Sequence, residues 1–203
     1  MLGDVNVREK GGFTLIELAI VLIIIGLILG AVLKGRNLIE SAKIKKAYTH
    51  FVRGWELAVL NYQDRTGQLL GDGVANGGTA ATPDGNFDNV NLAGNTNIID
   101  RLKAVGLTPP TTNTGDPGTY SISGKYYTGT MHAYLYHIHS NEDGTYYNAL
   151  YILYVPTDVA IALDTIIDGS DNASAGLFRM NPDNQNWPDA STTNHVNVFY
   201  IIK

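Results

Sequence analysis

The apolar run over residues 13–33 constrains the fold of this 203-residue chain more than any other feature. Its 21 residues contain a single charge, Glu17, and would form a helix about 32 Å long, close to the roughly 30 Å hydrocarbon core of a bilayer. Gly11 and Gly12 precede the run, whereas a secretory signal peptide has its cleavage site after a shorter apolar core. The sequence therefore predicts a membrane-spanning helix, with any cleavage on its cytoplasmic side.

Glu17 is the unusual residue of this run. A carboxylate in lipid is costly and is normally retained for a function or neutralised by a partner. The nearest candidate partner is an α-amino group created by cleavage before the apolar run.

Residues 11–17, GGFTLIE, resemble the processing site of type IV prepilins and of type II secretion pseudopilins. The resemblance implies that a prepilin peptidase cleaves after Gly12 and methylates the new N-terminus, Phe13. It also implies that Glu17 pairs with the Phe13 amine of a neighbouring subunit during filament assembly. Such a pair would offset the desolvation of two charges, whereas an unpaired subunit would keep one charge in lipid.

Two further stretches extend the resemblance, to a pilin-like subfamily. The first is VLKGRNLIESAKIKKAYTHF followed by YQDRTGQLLGD, and the second is ALDTIIDGSDNASAGLFR. Two features depart from common pilins: Lys34 stands where a proline is frequent, and the chain contains no cysteine. The resemblance implies a major or minor pilin, with a type II secretion pseudopilin as the alternative. An alternative from a different functional class is a membrane-tethered binding module that never polymerises.

Charge is distributed unevenly along the chain. Residues 13–66 carry seven basic and four acidic side chains, whereas residues 67–203 carry five basic and 13 acidic ones. Because neutralising phosphates requires clustered lysine and arginine, this acidic C-terminal part is not expected to bind nucleic acid directly.

A helical pattern continues beyond the apolar run. Apolar side chains recur at intervals of three and four residues, at Leu38, Ala42, Phe51, Val52, Trp55, Ala58, Val59 and Tyr62. The pattern predicts one helix over 13–66, with Gly67 as its stop. Its first part, 13–33, would lie in the membrane or filament core, and its amphipathic part, 34–66, would pack on a head.

Residues 67–119 are predicted to connect this helix to a sheet. They are rich in Gly, Asn, Asp and Thr, and a short helix is expected at about 97–105. A loop of this length either has a function or lies at an interface. The alternative is a solvent-exposed loop with no specific function. Both alternatives stay open from the sequence.

From Tyr120 the apolar period changes to two, which is typical of strands. Residues 131–139 and 145–155 predict a β-hairpin around the turn 141–144, in which tyrosines would form cross-strand pairs or, alternatively, a binding patch. A helix with Pro156 in its first turn and a final strand, 195–202, complete the head over 120–203. The predicted class is α+β, a long N-terminal helix packed on a small antiparallel sheet.

No sequence motif of a known catalytic site is present, so the chain is not predicted to be an enzyme. Asp164, Asp168 and Asp171 offer hard oxygen ligands, and the resemblance adds that some pseudopilins bind calcium in a C-terminal loop. The spacing is not that of an EF-hand, and helix capping explains the aspartates equally well. Calcium is thus a candidate, and no other cofactor is expected.

The resemblance also implies where the chain acts and with what. Residues 1–12 would be a leader, and the precursor would cross the inner membrane once, surrounded by lipid. Its partners would be further copies of the chain, a prepilin peptidase and the inner-membrane assembly platform. After assembly the subunit would be extracellular in a pilus, or periplasmic in a pseudopilus.

Overall fold

The computed structural model of the chain describes residues 12, 14–183 and 185–203. Two compact units are present, Met1–Glu40 and Ser41–Lys203. The predicted leader residues before Gly12, and Phe13, lie outside the described residues. The predicted α+β class is confirmed, since a long N-terminal helix and an antiparallel sheet make up the fold.

The N-terminal helix extends from Leu15 to Thr66. Its segments are α1 (Leu15–Ala47), a π-helical turn (Tyr48–Val52) and α2 (Arg53–Thr66). The helix ends at the predicted stop because Gly67 adopts a left-handed conformation with φ of 69° and donates its N–H to the Gln63 carbonyl over 2.8 Å. Glycine accepts this conformation without the steric cost that a Cβ atom brings.

From Ile44 onward, one face of this helix is buried in the main core of the second unit. Its buried side chains are Ile44, Ala47, Phe51, Val52, Trp55, Ala58, Val59 and Tyr62. The prediction was wrong for Leu38 and Ala42, which are exposed. Both residues precede Ile44, where burial of the helix in the second unit begins, and Leu38 belongs to the first unit.

Among the described residues, six strands form one antiparallel sheet. They are β1 (Val90–Asn91), β2 (Thr119–Ser123), β3 (Thr128–His139), β4 (Tyr146–Pro156), β5 (Phe178–Met180) and β6 (His195–Ile201). Their spatial order is β1-β3-β4-β6-β5, and β2 also pairs with β3. The predicted hairpin is β3 and β4, in which Leu135 lies opposite Leu150.

The two faces of the sheet are both partly covered. On one face, β3 contributes Met131, Ala133 and Leu135 to the core that buries the helix. On the other, a small cluster consists of Ile138, Ala149, Phe199 and Ile201, with partly buried tyrosines packed against it. Tyr151 is 5.3 Å from Tyr136 and 6.5 Å from Tyr134 between ring centroids, so two predicted tyrosine pairs form.

Some elements of the head differ from the prediction. The strands β1 and β5 were not predicted, because each is three residues long or shorter and leaves no detectable alternation. Pro156 is not in the first turn of a helix: it is the last residue of β4 and the N-cap of α4 (Thr157–Asp168). The short helix of the connection is α3 (Thr96–Ala104), one residue from its predicted start.

The glycine-rich connection after the helix is organised by two carboxylates. Asp88 Oδ2 accepts hydrogen bonds from the backbone N–H groups of Gly73, Thr79 and Ala80, at 2.7–2.8 Å. Asp72 is buried and accepts from two further backbone N–H groups, at positions 84 and 85. This segment is therefore an ordered part of the head whose backbone donors are satisfied by side chains.

Replacing Asp88 with alanine is expected to destabilise the head by about 3 kcal/mol, because three N–H groups lose a charged acceptor. Thermal unfolding of the detergent-solubilised chain, followed by circular dichroism, measures the loss. Asp84→Ala is the matched control, since the Asp84 carboxylate accepts a single local hydrogen bond, from Asn86. Equal effects of the two changes would contradict the role given to Asp88.

Candidate functional site

The predicted processing site lies at the start of the first unit. Gly12 is exposed, and no described atom lies within 4 Å of the position that a Cβ atom would occupy there. The scissile bond would join Gly12 to Phe13, and Phe13 and Gly11 lie outside the described residues. The predicted roles of Gly12 in cleavage and of Phe13 in methylation and assembly stay predictions.

Glu17 and Thr14 form a reciprocal cap at the start of α1. The Glu17 carboxylate accepts from the Thr14 N–H over 2.8 Å and from the Thr14 hydroxyl over 2.9 Å, and the Glu17 N–H donates to Thr14 Oγ1 over 3.3 Å. This is a capping box, in which the residue before the helix and the third helical residue satisfy each other's backbone donors. Glu17 therefore has a partner within its own chain, which the sequence reasoning did not identify.

The rest of α1 in the first unit presents apolar surface on all sides. Every large aliphatic side chain from Leu15 to Leu33 is between 47% and 88% exposed. By its length and composition, the helix is long and apolar enough to cross a membrane, which is typical of a membrane anchor. Such a surface requires lipid or other apolar helices around it.

The second unit contains the three aspartates predicted as calcium ligands. Asp164 on α4 is fully buried, and its Oδ2 accepts from Trp187 Nε1 over 2.9 Å. Asp168 accepts from the backbone N–H groups of Leu177 and Phe178, over 2.9 and 2.8 Å. Asp171 is exposed beyond the end of α4.

Burial raises the pKa of Asp164 to about 7, and the neighbouring carboxylates of Asp168 and Asp171 act in the same direction. Asp164 Oδ1 is buried without a hydrogen-bond partner among the described residues. A proton on this carboxyl removes the charge that burial penalises.

The calcium prediction gains no support from this geometry. Both oxygens of Asp168 already accept backbone hydrogen bonds. Within the part of the chain that the structure describes, no three His, Cys, Asp or Glu side chains are grouped so as to hold a metal ion. Asp164 and Asp168 make structural hydrogen bonds at α4, and calcium binding by the three aspartates stays a prediction.

A buried polar contact joins the helix to the last strand. Glu56 on α2 is buried, and its carboxylate accepts from the Tyr200 hydroxyl on β6 over 2.8 Å and from Arg53 Nη1. Burial and the Glu56 carboxylate raise the pKa of Tyr200, so its hydroxyl keeps its proton and donates. The contact fixes the helix on the sheet at a defined rotation.

A second polar network ties the hairpin turn to the C-terminal segment. Arg179 Nη1 donates to Asp143 over 3.1 Å and to Asp183 over 3.4 Å, and Ser140 Oγ donates to Asp183 over 2.6 Å. The Tyr147 hydroxyl, together with other donors that include Arg179, holds the pKa of Asp143 well below its usual range. In a chain without cysteine, this network links the two segments without a covalent bond.

Replacing Arg179 with methionine is expected to cost about 3–5 kcal/mol of unfolding free energy, because it leaves Asp183 buried without its cation. Urea unfolding of the solubilised chain measures the effect. Lys103→Met removes one exposed cation on α3 and serves as the control, with an expected change close to zero. Unfolding curves that coincide for the two variants would exclude this role for Arg179.

Sequence reasoning missed both polar networks and the capping box for different reasons. The partners Glu56 and Tyr200 are 144 residues apart, and no local pattern signals such a contact. The capping box was visible in principle, since Thr14 and Glu17 have its spacing just before an apolar run.

Comparison with known proteins identifies the N-terminal segment. The family model described as the prokaryotic N-terminal methylation motif matches residues 7–33. No curated protein and no solved structure matches the chain significantly. The matched residues include Gly12, Phe13 and Glu17, and they coincide with the start of the apolar helix.

Proposed function

The methylation motif and the apolar helix behind it are those of a type IV pilin-like or pseudopilin-like precursor, and we propose that this chain polymerises through that helix into a type IV pilus. The observation that carries the proposal is the position of Glu17, a single carboxylate near the start of an apolar helix whose large side chains are exposed on all sides. A helix with this surface has two stable surroundings, lipid before assembly and the helices of other copies after it.

The capping box suggests how Glu17 is held before assembly. In the single chain its carboxylate accepts two hydrogen bonds from Thr14, so part of the cost of carrying this group into lipid is offset locally. Cleavage after Gly12 would then create a cationic amine at Phe13, close to this carboxylate in sequence. In the filament, Glu17 of one copy would pair with the amine of another copy.

Electrostatics favours this exchange of partners. Two hydrogen bonds from Thr14 leave the net charge of Glu17 uncompensated, whereas an amine neutralises it. Only copies stacked in the correct register would form this buried ion pair, and misaligned copies would lack it. The pair would therefore specify the register of the polymer. The motif also implies a prepilin peptidase as the processing enzyme, and an inner-membrane assembly platform would extract the subunit from the bilayer.

The experiment that tests the function is immunogold labelling of sheared fibres with antibodies against the connection and the head, residues 67–203. Labelled fibres on the cell surface support a pilus subunit. If the head antigen is polymeric but confined to the periplasm, the chain is a subunit of a type II secretion pseudopilus and not of a pilus. If the cells make fibres that lack the head antigen, and the antigen stays monomeric in the membrane, polymerisation is contradicted. A tethered binding module is then favoured.

A further inference from the structure

A cavity of about 300 Å³ lies between the end of α1 and the strands β2 and β3 in the second unit. Lys43 and Lys46 line one side of it. The other side is formed by residues of the sheet and of the segment before it: Asn113, Tyr120, Ser121, Ile122, Ser123 and Thr128. A smaller cavity of about 90 Å³ shares Lys46, Asn113 and Tyr120 and adds His50.

The cations of this cavity have no acidic partner among the residues that the structure describes. Neither Lys43 nor Lys46 forms an ion pair with any described residue, and no described Asp or Glu lines either cavity. The two lysines are three residues apart on one helix, a spacing at which like charges destabilise the helix. An anion between them would offset this repulsion.

The wall opposite the lysines offers hydroxyl donors. Tyr120 is 5% exposed, its ring packs 5.6 Å from that of Phe51, and its hydroxyl has no hydrogen-bond partner among the residues that the structure describes. Burial raises the pKa of Tyr120, so the phenol keeps its proton and remains a donor. Ser123 and Thr128 lie opposite each other on β2 and β3 at the mouth of the cavity, and both are exposed.

The backbone of this wall is held in place independently of any ligand. Asn113 accepts from the Ser121 N–H over 2.9 Å and donates to the Ser121 carbonyl over 2.7 Å. These two bonds use the amide oxygen and one of the two N–H donors of Asn113. Among the described residues, the ammonium groups of Lys43 and Lys46 and the hydroxyls of Tyr120, Ser123 and Thr128 have no hydrogen-bond partner, and each of these groups can donate.

We propose that this cavity binds a tetrahedral oxyanion, a phosphate or sulfate group, between Lys43, Lys46 and Tyr120. A donor set of two cations and a hydroxyl on opposite walls matches a group with several acceptor oxygens pointing in different directions. A carboxylate presents two oxygens in one plane and fits this arrangement less completely. The same chemistry is supplied by a free phosphate or by the headgroup of an anionic phospholipid.

The test is calorimetric titration of the full chain in zwitterionic nanodiscs with inorganic phosphate at constant ionic strength. Wild-type protein is expected to bind phosphate saturably, and Lys43→Gln with Lys46→Gln is expected to weaken binding about tenfold or more through loss of charge-assisted hydrogen bonds. Tyr120→Phe, which keeps the ring, is expected to weaken it about threefold or more. Lys45→Gln is the matched control, because Lys45 is exposed but lines neither cavity.

Nanodiscs that contain phosphatidylglycerol distinguish the two sources of phosphate. Competition between this lipid and inorganic phosphate, absent in the Lys43→Gln, Lys46→Gln variant, would identify a lipid headgroup as the occupant. Phosphate binding that is unaffected by the lipid would identify a soluble phosphate. The proposal is overturned if wild-type protein shows no saturable phosphate binding, if acetate binds as tightly as phosphate, or if Lys45→Gln weakens binding as much as the paired substitution.

Discussion

Replacing Glu17 with glutamine is expected to reduce incorporation of the subunit into filaments by about a hundredfold or more while leader cleavage continues. Glutamine keeps the size of the side chain and supports a capping box, so the start of α1 should be preserved. What it removes is the charge, which leaves the amine of the neighbouring copy buried without an anion, at a cost of about 3–5 kcal/mol. Immunoblotting of sheared and cell-bound fractions measures incorporation, and the mobility of the processed form reports cleavage.

Thr14→Val separates the two roles of Glu17. Valine removes the hydroxyl that bonds to Glu17 but leaves the carboxylate and its charge. If pairing between copies is the function of Glu17, Thr14→Val should assemble almost as well as the wild type, with helix stability reduced by about 1 kcal/mol. Assembly that fails in Thr14→Val and continues in Glu17→Gln would show that the cap, and not the charge, is required.

Asp164→Asn is expected to stabilise the head at alkaline pH and to flatten its pH dependence. Burial raises the pKa of this carboxyl from its ordinary value of 3.8 to about 7 in the folded head. Between these values the folded chain holds a proton that the unfolded chain has released, so wild-type stability falls as pH rises from about 4 to about 7. The loss across this window corresponds to about 4 kcal/mol, and asparagine, which has no proton to release, avoids it.

Urea unfolding at pH 4.5, 7 and 8.5 measures the unfolding free energy of wild type and variant. The difference between the two isolates the titration of Asp164 from that of other groups. The Asp171→Asn variant is the control, because Asp171 is exposed and close to Asp164 in the chain. Parallel pH profiles for wild type and Asp164→Asn would contradict the assignment. Calcium added at pH 8.5 tests the calcium prediction in the same experiment, since binding at Asp164, Asp168 and Asp171 would stabilise the wild type and not the Asp164→Asn variant.

Local signals account for what the sequence predicts well. The helix stop at Gly67 follows from a conformation that glycine alone adopts at low cost, and the β3–β4 hairpin follows from alternation on both sides of a short polar turn. The start of the apolar helix and the position of Glu17 were likewise readable from a contiguous motif. Each of these features depends on residues within a few positions of one another.

Features that depend on distant partners were not predictable in this way. Asp88 has the composition of an ordinary loop residue, and its role is set by three N–H groups that the folded connection brings around it. The π-helical turn at Tyr48–Val52 leaves no signature in the sequence, and the sequence does not show that burial of the helix begins at Ile44, after Leu38 and Ala42. Asp164 was predicted to be a metal ligand because the sequence does not show that it is buried and hydrogen-bonded to Trp187 in the folded head.

Mass spectrometry of the N-terminal peptide tests the central claim most directly. Protein from the membranes and fibres of wild-type cells is expected to begin at Phe13 with one methyl group on its amine, and the same protein from cells without a prepilin peptidase is expected to retain residues 1–12. The Glu17→Gln variant should give the same processed peptide from membranes. An intact leader in wild-type cells that contain an active peptidase would contradict the account.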